Sequence, residues 1–344
     1  MTITPDRTGQ SLPLIVVAAT DLPQLSESMP DLTLPPGLDP AQQAYLLKGI
    51  QGAANTAKAY ASDLRQYRAY CSGVNQPALP ASADLLGKYA SYLANDRRRA
   101  FSTINRHLAS ISKWHELQGL VSPLRDRWLK ATLEGISRQH GTMPRQARSF
   151  DIDVLKMICR SMTLEREEVP CLIALRDKLA LLLGFLGAFR RSELTGLLVE
   201  NIQFNDRGFT ISSYGSKTNQ HGAREDKGFI FSDDPLLCPV KLMHRWLALL
   251  NRTKGPLLVQ IEKGNWLTDK PLGGVAIDRI VKRRVGTNYS AHSLRASFVT
   301  NSKLAGAQDS EIMRQTGHKT SAMIQRYTRL DSIMDHNAVS KIGW

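Results

Sequence analysis

Three observations predict a mainly α chain, an N-terminal helical bundle followed by an α+β domain with a small antiparallel sheet. The chain has 344 residues, 42% of them apolar, enough for about two domains with full cores. From residue 41 to 138 apolar side chains recur at helical spacing throughout, whereas beyond residue 150 helical stretches give way to short alternating runs and then resume. Between the two, Arg138 to Ser149 (RQHGTMPRQARS) is polar, contains Gly141 and Pro144, and reads as a linker. The expected divisions are therefore a leader at 1–40, a helical domain at 41–138, a linker at 139–148, a mixed domain at 149–330 and a tail at 331–344.

The leader is acidic, one basic against five acidic side chains, and carries Pro13, Pro23, Pro30, Pro35, Pro36 and Pro40, so it is expected to be a mobile arm. In the next segment Tyr60, Leu64, Tyr67 and Cys71 share one helical face, with Lys58, Arg65 and Arg68 on an adjacent one and Gly73 as the stop. Ser82 is expected to cap a second helix with Leu85, Leu86, Tyr89 and Leu93 inward. Ser102 should open a third carrying Ile104, Leu108, Ile111 and Trp114, and Pro123 should sit in the first turn of a fourth. Past the linker, helices are expected at about 151–162 and 171–188. Short strands follow at Leu198–Phe204, Phe209–Ser213 and Phe229–Phe231, the last two joined by a polar turn from Tyr214 to Lys227. Helices resume at about 239–250, 274–284, 293–305, 309–316 and 320–328.

Composition excludes several classes. Lys plus Arg number 45 against 31 Asp plus Glu, a net charge of +14, which favours a polyanionic partner. Both domains share the excess: residues 41–140 hold 14 basic and 6 acidic side chains, and residues 141–344 hold 30 and 20. Cys71, Cys159, Cys171 and Cys238 lack CxxC spacing and clustered histidines, which argues against a zinc site or disulfide framework and suits core thiols in a reducing compartment. The longest apolar run, Leu179 to Phe189, is about half of a bilayer span. Leu14 to Ala19 has no basic cluster before it, so no signal peptide is expected.

Individually, the polar residues of the second domain have ordinary explanations. Arg190 and Glu193 follow the apolar helix as helix-end charges do; His292 and Arg295 share a helix face; Gly317-His318 resembles a helix C-cap; Tyr327 suits a half-buried aromatic; Lys217 suits a solvated turn. Their order is less ordinary: Arg190, Lys217, His292, Arg295, His318 and Tyr327 in succession, within GAFRRSEL, SYGSKTNQ, AHSLRASFVT and TGHKTSAMIQRYTRLDS. In these stretches, spanning roughly residues 150–335, the chain resembles the tyrosine recombinases, or phage integrase family, which are marked by Arg, Lys, His-x-x-Arg, His or Trp, and a Tyr nucleophile in this order. The helical domain before a mixed domain, with a short tail, looks most like the Cre type, which has Trp at the position of His318.

That resemblance implies a helical core-binding domain and a catalytic domain that cut and rejoin DNA at specific sites. It implies Tyr327 as a nucleophile leaving a 3′-phosphotyrosine and a free 5′-hydroxyl, which conserves the phosphodiester energy without an external source. Arg190 and Arg295 suit the non-bridging oxygens, since a guanidinium is always charged and donates in pairs. Lys217 is the implied acid for the 5′-oxygen, His292 the base or proton relay, His318 a donor to a non-bridging oxygen, and Glu193 a support for His292 or an arginine. No carboxylate cluster suggests Mg²⁺, so no metal or cofactor is expected.

The two basic domains should close on double-stranded DNA with inverted-repeat sites, Lys58, Arg65 and Arg106 being candidate phosphate contacts. Val339, Ile342 and Trp344 form an apolar patch in the tail; in Cre-like relatives such a tail docks on the neighbouring protomer, which implies a homotetramer on two sites. The expected location is the cytoplasm, at the nucleoid of a prokaryotic host. The rival readings are a non-catalytic DNA-binding protein that keeps the fold, and an enzyme like topoisomerase IB or a telomere resolvase.

Overall fold

The computed structural model describes residues 39–51, 54–141, 146–216 and 219–325. The chain divides into two compact units, Met1–Pro144 and Arg145–Trp344, and is mainly helical with small antiparallel sheets. No described helix is long and apolar enough to cross a membrane.

The first unit holds helices α1 (Pro40–Gln51), α2 (Ala54–Gly73), α3 (Ala83–Asn95), α4 (Phe101–Leu117) and α5 (Arg127–His140). Leu64, Tyr67 and Cys71 from α2 meet Leu86, Tyr89 and Leu93 from α3 and Ile104, Leu108, Ile111 and Trp114 from α4 in one core, while Tyr60 is half-buried. Two helix starts differ from expectation. The helix expected from Ser102 begins at Phe101 with Ala100 before it and no side-chain cap. Pro123 opens only a single 3₁₀ turn, because Asp126 just after it caps α5, its Oδ1 accepting from the backbone N–H of Trp128 (2.8 Å) and Leu129 (2.9 Å).

The second unit begins with α6 (Ile152–Ser161), a short hairpin β1 (Glu165–Arg166) and β2 (Val169–Pro170), and α7 (Leu172–Leu186). Helix α7 is buried on nearly every side, charged residues included. Asp177 within it, fully buried, accepts from Arg176, Arg283 and Arg284. A five-residue helix, α8 (Arg191–Thr195), leads to a three-stranded antiparallel sheet, β3 (Ile202–Asn205), β4 (Gly208–Ser216) and β5 (Asn219–Ile230), in that order. The expected polar turn from Tyr214 to Lys227 is mostly ladder, since pairing continues to Ser216 opposite Asn219 with a register shift near Tyr214. Backbone pairing does not require apolar alternation, so polarity hid these strands. Helix α9 (Pro239–Leu250) follows, then a hairpin not expected from the sequence, β6 (Val259–Glu262) and β7 (Trp266–Pro271), turned at Asn265 with φ 67°. Helices α10 (Gly274–Arg284), α11 (Ala291–Leu304), α12 (Asp309–Thr316) and α13 (Ser321–Gln325) complete the unit. Cys71, Cys159 and Cys238 are buried and Cys171 is half-buried, all as thiols.

Helices α7 and α11 approach closely, and the polar cluster of this unit forms at their junction. A Cβ on Gly184 would lie 2.5 Å from Leu294 Cδ1, so a larger residue there would force the Leu294 side chain to shift. Ser297 Oγ on α11 accepts from the backbone of Phe150 at 2.8 Å, and Asn301 bonds both Phe150 O and Ile152 N, fixing the start of α6 along the same helix.

Candidate functional site

The site assembles where α7 ends. After Leu186 the chain turns through Gly187 and Ala188, the latter buried and in the left-handed region at φ 46°, a conformation costing roughly 1–2 kcal/mol for a residue with a Cβ. The turn aims Ala188 O at α11, where Arg295 Nη1 donates to it at 2.7 Å. Arg295 is only 1% exposed. Two residues on, Arg190 stands at the N-terminus of α8. Its backbone N–H donates to Glu193 Oε2 (2.9 Å) and its guanidinium Nη1 to Glu193 Oε1 (2.5 Å). Glu193 thus folds back over the helix start and holds the arginine from both sides.

His292 lies one turn before Arg295 in α11, whose start is two residues earlier than expected, so both fall in its first turns. Asp278 on α10 fixes that start: its Oδ1 accepts from Ala291 N at 2.9 Å and its Oδ2 from Arg191 Nη1 at 2.6 Å, linking α8, α10 and α11. The His292 residue stays accessible, yet the atoms around it displace hydration, and with Arg295 and Arg190 nearby its pKa is lowered from the usual imidazole value.

His318 follows α12, whose end is set by Gly317 in the left-handed region at φ 68°. A Cβ there would lie 3.0 Å from Glu225 Oε2. His318 is 5% exposed, and burial first, then Arg295, Arg190, Lys227 and His292, push its pKa down to about 3. The Thr316 hydroxyl donates its single proton to Ile312 O (2.7 Å), so toward His318 Nδ1 (2.9 Å) it accepts. The neutral ring therefore carries its proton on Nδ1 and none on Nε2.

The structure thus brings together Arg190, Glu193, His292, Arg295 and His318 from three separated stretches of sequence. Lys217 and Tyr327 lie outside the described residues. In the first unit Lys58 and Arg65 are exposed on α2, while Arg106 is half-exposed and donates Nε and Nη2 to Asp63 at 2.8 and 2.9 Å. Among the described residues no cluster of three or more His, Cys, Asp or Glu side chains is placed to hold a metal ion.

Sequence reasoning passed over Lys227. It lies on β5 opposite Ile211, on the same face as Phe229, and is 2% exposed. The one available signal was its place two residues before an inward Phe229, which period-two alternation turns to the core.

Comparison with known proteins matches residues 168–333 to the phage integrase family. The chain is 30% identical over 299 residues to an integrase/recombinase XerD homolog of Selenomonas ruminantium, covering 84% of this chain and 86% of the relative. Among solved structures it is similar to the XerH site-specific recombinase bound to a palindromic difH substrate, with TM-score 0.61 and 14% identity, covering 88% of this chain and 84% of that one. A lambda integrase dimer bound to a core site gives TM-score 0.58 at 15% identity, covering 85% and 95%.

Proposed function

The chain belongs to the phage integrase family and is a tyrosine-type site-specific recombinase that cuts and rejoins DNA, and on that footing we propose that Tyr327 is its nucleophile and that Arg190, Arg295, His318, His292 and Lys217 serve the scissile phosphate. The observation that carries the assignment is the convergence of two guanidiniums, each fixed by a separate partner, beside two imidazoles.

The chemistry rests on charge. Attack by the Tyr327 oxygen forms a bond to phosphorus while the bond to the 5′-oxygen breaks, and negative charge gathers on the non-bridging oxygens in between. Arg190 and Arg295, already held in place, meet that charge without reorganising. His292, with its lowered pKa, is neutral near pH 7 and able to take the tyrosine proton. Lys217 gives a proton to the departing 5′-oxygen. His318 donates from Nε2 only when protonated; burial first and then the arginine charges hold its pKa down, and an arriving phosphate counters the second of these and so favours the charged ring.

DNA is the partner. Its grip on the phosphate backbone includes Lys58 and Arg65 on the exposed face of α2, and Arg106 as presented by Asp63. The finer assembly is a homotetramer joining two inverted-repeat sites through Val339, Ile342 and Trp344 of the tail, a reading supported by that apolar cluster in the sequence.

The test is a nicked duplex bearing the site that the protein selects from a pool of random duplexes. The native chain traps a covalent adduct. Tyr327→Phe keeps binding and traps none; adduct formation by that variant removes Tyr327 from the role.

A further inference from the structure

The mechanism leaves one buried cation of the site without a task. Lys227 Nζ donates to Gln315 O, in the last turn of α12, at 2.6 Å, and lies 5.0 Å from the centre of the Phe189 ring. Gln315 in turn donates from Nε2 to Leu186 O at 2.7 Å and to Gly228 O at 3.1 Å. Lys227 and Gln315 together therefore join the end of α7, which leads to Arg190, strand β5, which leads back to Lys217, and the end of α12, which leads to His318. These are the segments that must converge for the phosphate to be held.

We propose that Lys227 is a positioning residue of the recombinase: by pinning Gln315 O it sets His318 beside Arg190 and Arg295, and it adds a fixed positive charge behind the phosphate. This rests on the assignment of Arg190, Arg295 and His318 to the scissile phosphate. The alternative use of a lysine here, as the acid for the 5′-oxygen, is disfavoured by the same geometry, since the ammonium is 2% exposed and already committed to a carbonyl and a ring face.

The surroundings also make the charge titratable in a useful range. Burial first, opposed by Glu193 and Glu225 and reinforced by Arg295 and Arg190, lowers the Lys227 pKa to about 8. The two imidazoles of the site, His318 and His292, are both neutral well below that pH. Lys227 is therefore charged below about pH 8 and loses its charge above it.

The experiment measures single-turnover cleavage of the same nicked duplex, with the leaving group either the natural 5′-oxygen or a 5′-bridging sulfur, which departs as a thiolate without needing an acid. Lys227→Met is expected to slow cleavage of both substrates by the same factor, roughly 10²-fold, and Lys227→Arg to recover most of it. The second-order rate constant of the native protein should fall as pH rises through about 8. In Lys227→Arg that limb should move up by more than about one unit, because a guanidinium does not titrate there.

Sulfur rescue of Lys227→Met makes Lys227 the acid and overturns the proposal, as does cleavage by Lys227→Met at the native rate. If Lys227→Met does not fold, the Lys227→Arg profile decides alone: an alkaline limb unmoved from the native one overturns the proposal. If the native protein forms no adduct, the recombinase assignment fails and this inference with it. A native adduct with an unaffected Lys227→Met defeats only the inference.

Discussion

Each unit of the molecule buries a polar network, and the two differ in how their charges balance. In the first, Asp63 is fully buried and receives Arg106 at 2.8 and 2.9 Å and His107 Nε2 at 3.1 Å, while the Tyr89 hydroxyl bonds His107 Nδ1 at 2.9 Å. Burial lowers the His107 pKa, so the neutral ring donates from Nε2 and accepts from Tyr89. One carboxylate meets one guanidinium and the sum is zero. In the second, the described residues set Arg190, Arg295 and Lys227 against Glu193 and Glu225. One positive charge is left over in a largely buried cluster. An uncompensated buried charge costs several kcal/mol. Charge balance, more than burial or the number of hydrogen bonds, separates the network of the first unit from that of the second.

The sharpest way to break this contrast is Arg295→Lys. An ammonium cannot both bond Ala188 O and offer two parallel donors to a phosphate, so adduct formation should slow by about 10²–10³-fold, with far less change in DNA affinity measured by gel shift. A loss in affinity as large as the loss in rate would mean that Arg295 grips DNA without favouring the transition state.

Asp63→Ala tests the other side. It strands Arg106 and His107, and the half-exposed arginine softens the cost, so urea unfolding should show a loss of about 3 kcal/mol while the folded variant, once saturated with DNA, cleaves at the native rate. A selective fall in cleavage would show that the network of the first unit also serves the chemistry.

The most gradual effect is a pH dependence of stability. His318 has a folded pKa of about 3, below its unfolded value near 6.5, so the unfolded chain binds the proton more tightly. Stability should therefore fall as pH drops from about 6.5 toward 3, by at most about 1.4 kcal/mol per unit from this residue. The slope should shrink in His318→Asn and in the presence of DNA, whose phosphate favours the charged ring. An identical slope with and without DNA would show that no phosphate reaches His318.

Much of the fold was legible in sequence. The apolar faces of α2 to α4 are a direct consequence of helical period, which is why Leu64, Tyr67, Leu86 and Ile111 lie where periodicity puts them. The hairpin β6–β7 and the extension of β4 and β5 were not legible, because a ladder is made by backbone groups that every residue carries. Nor was the left-handed turn at Ala188, whose residue type disfavours that conformation and which the surrounding packing imposes.

By itself the sequence determined the division into a helical and a mixed part, the +14 charge, and the ordered set of Arg, Lys, His and Tyr that marks the family. These depend on residue identity and short-range spacing, which the chain states directly. Only the tertiary structure decided which charges are neutralised and which remain. Arg106 and Arg295 look alike as letters, yet one faces Asp63 and the other a carbonyl and two further cations. Lys227 became part of the site through a strand register that sets it opposite Ile211 and against Gln315, a pairing between residues 88 positions apart. Electrostatic energy depends on distance in space and on solvent exclusion, and neither is a property of sequence separation.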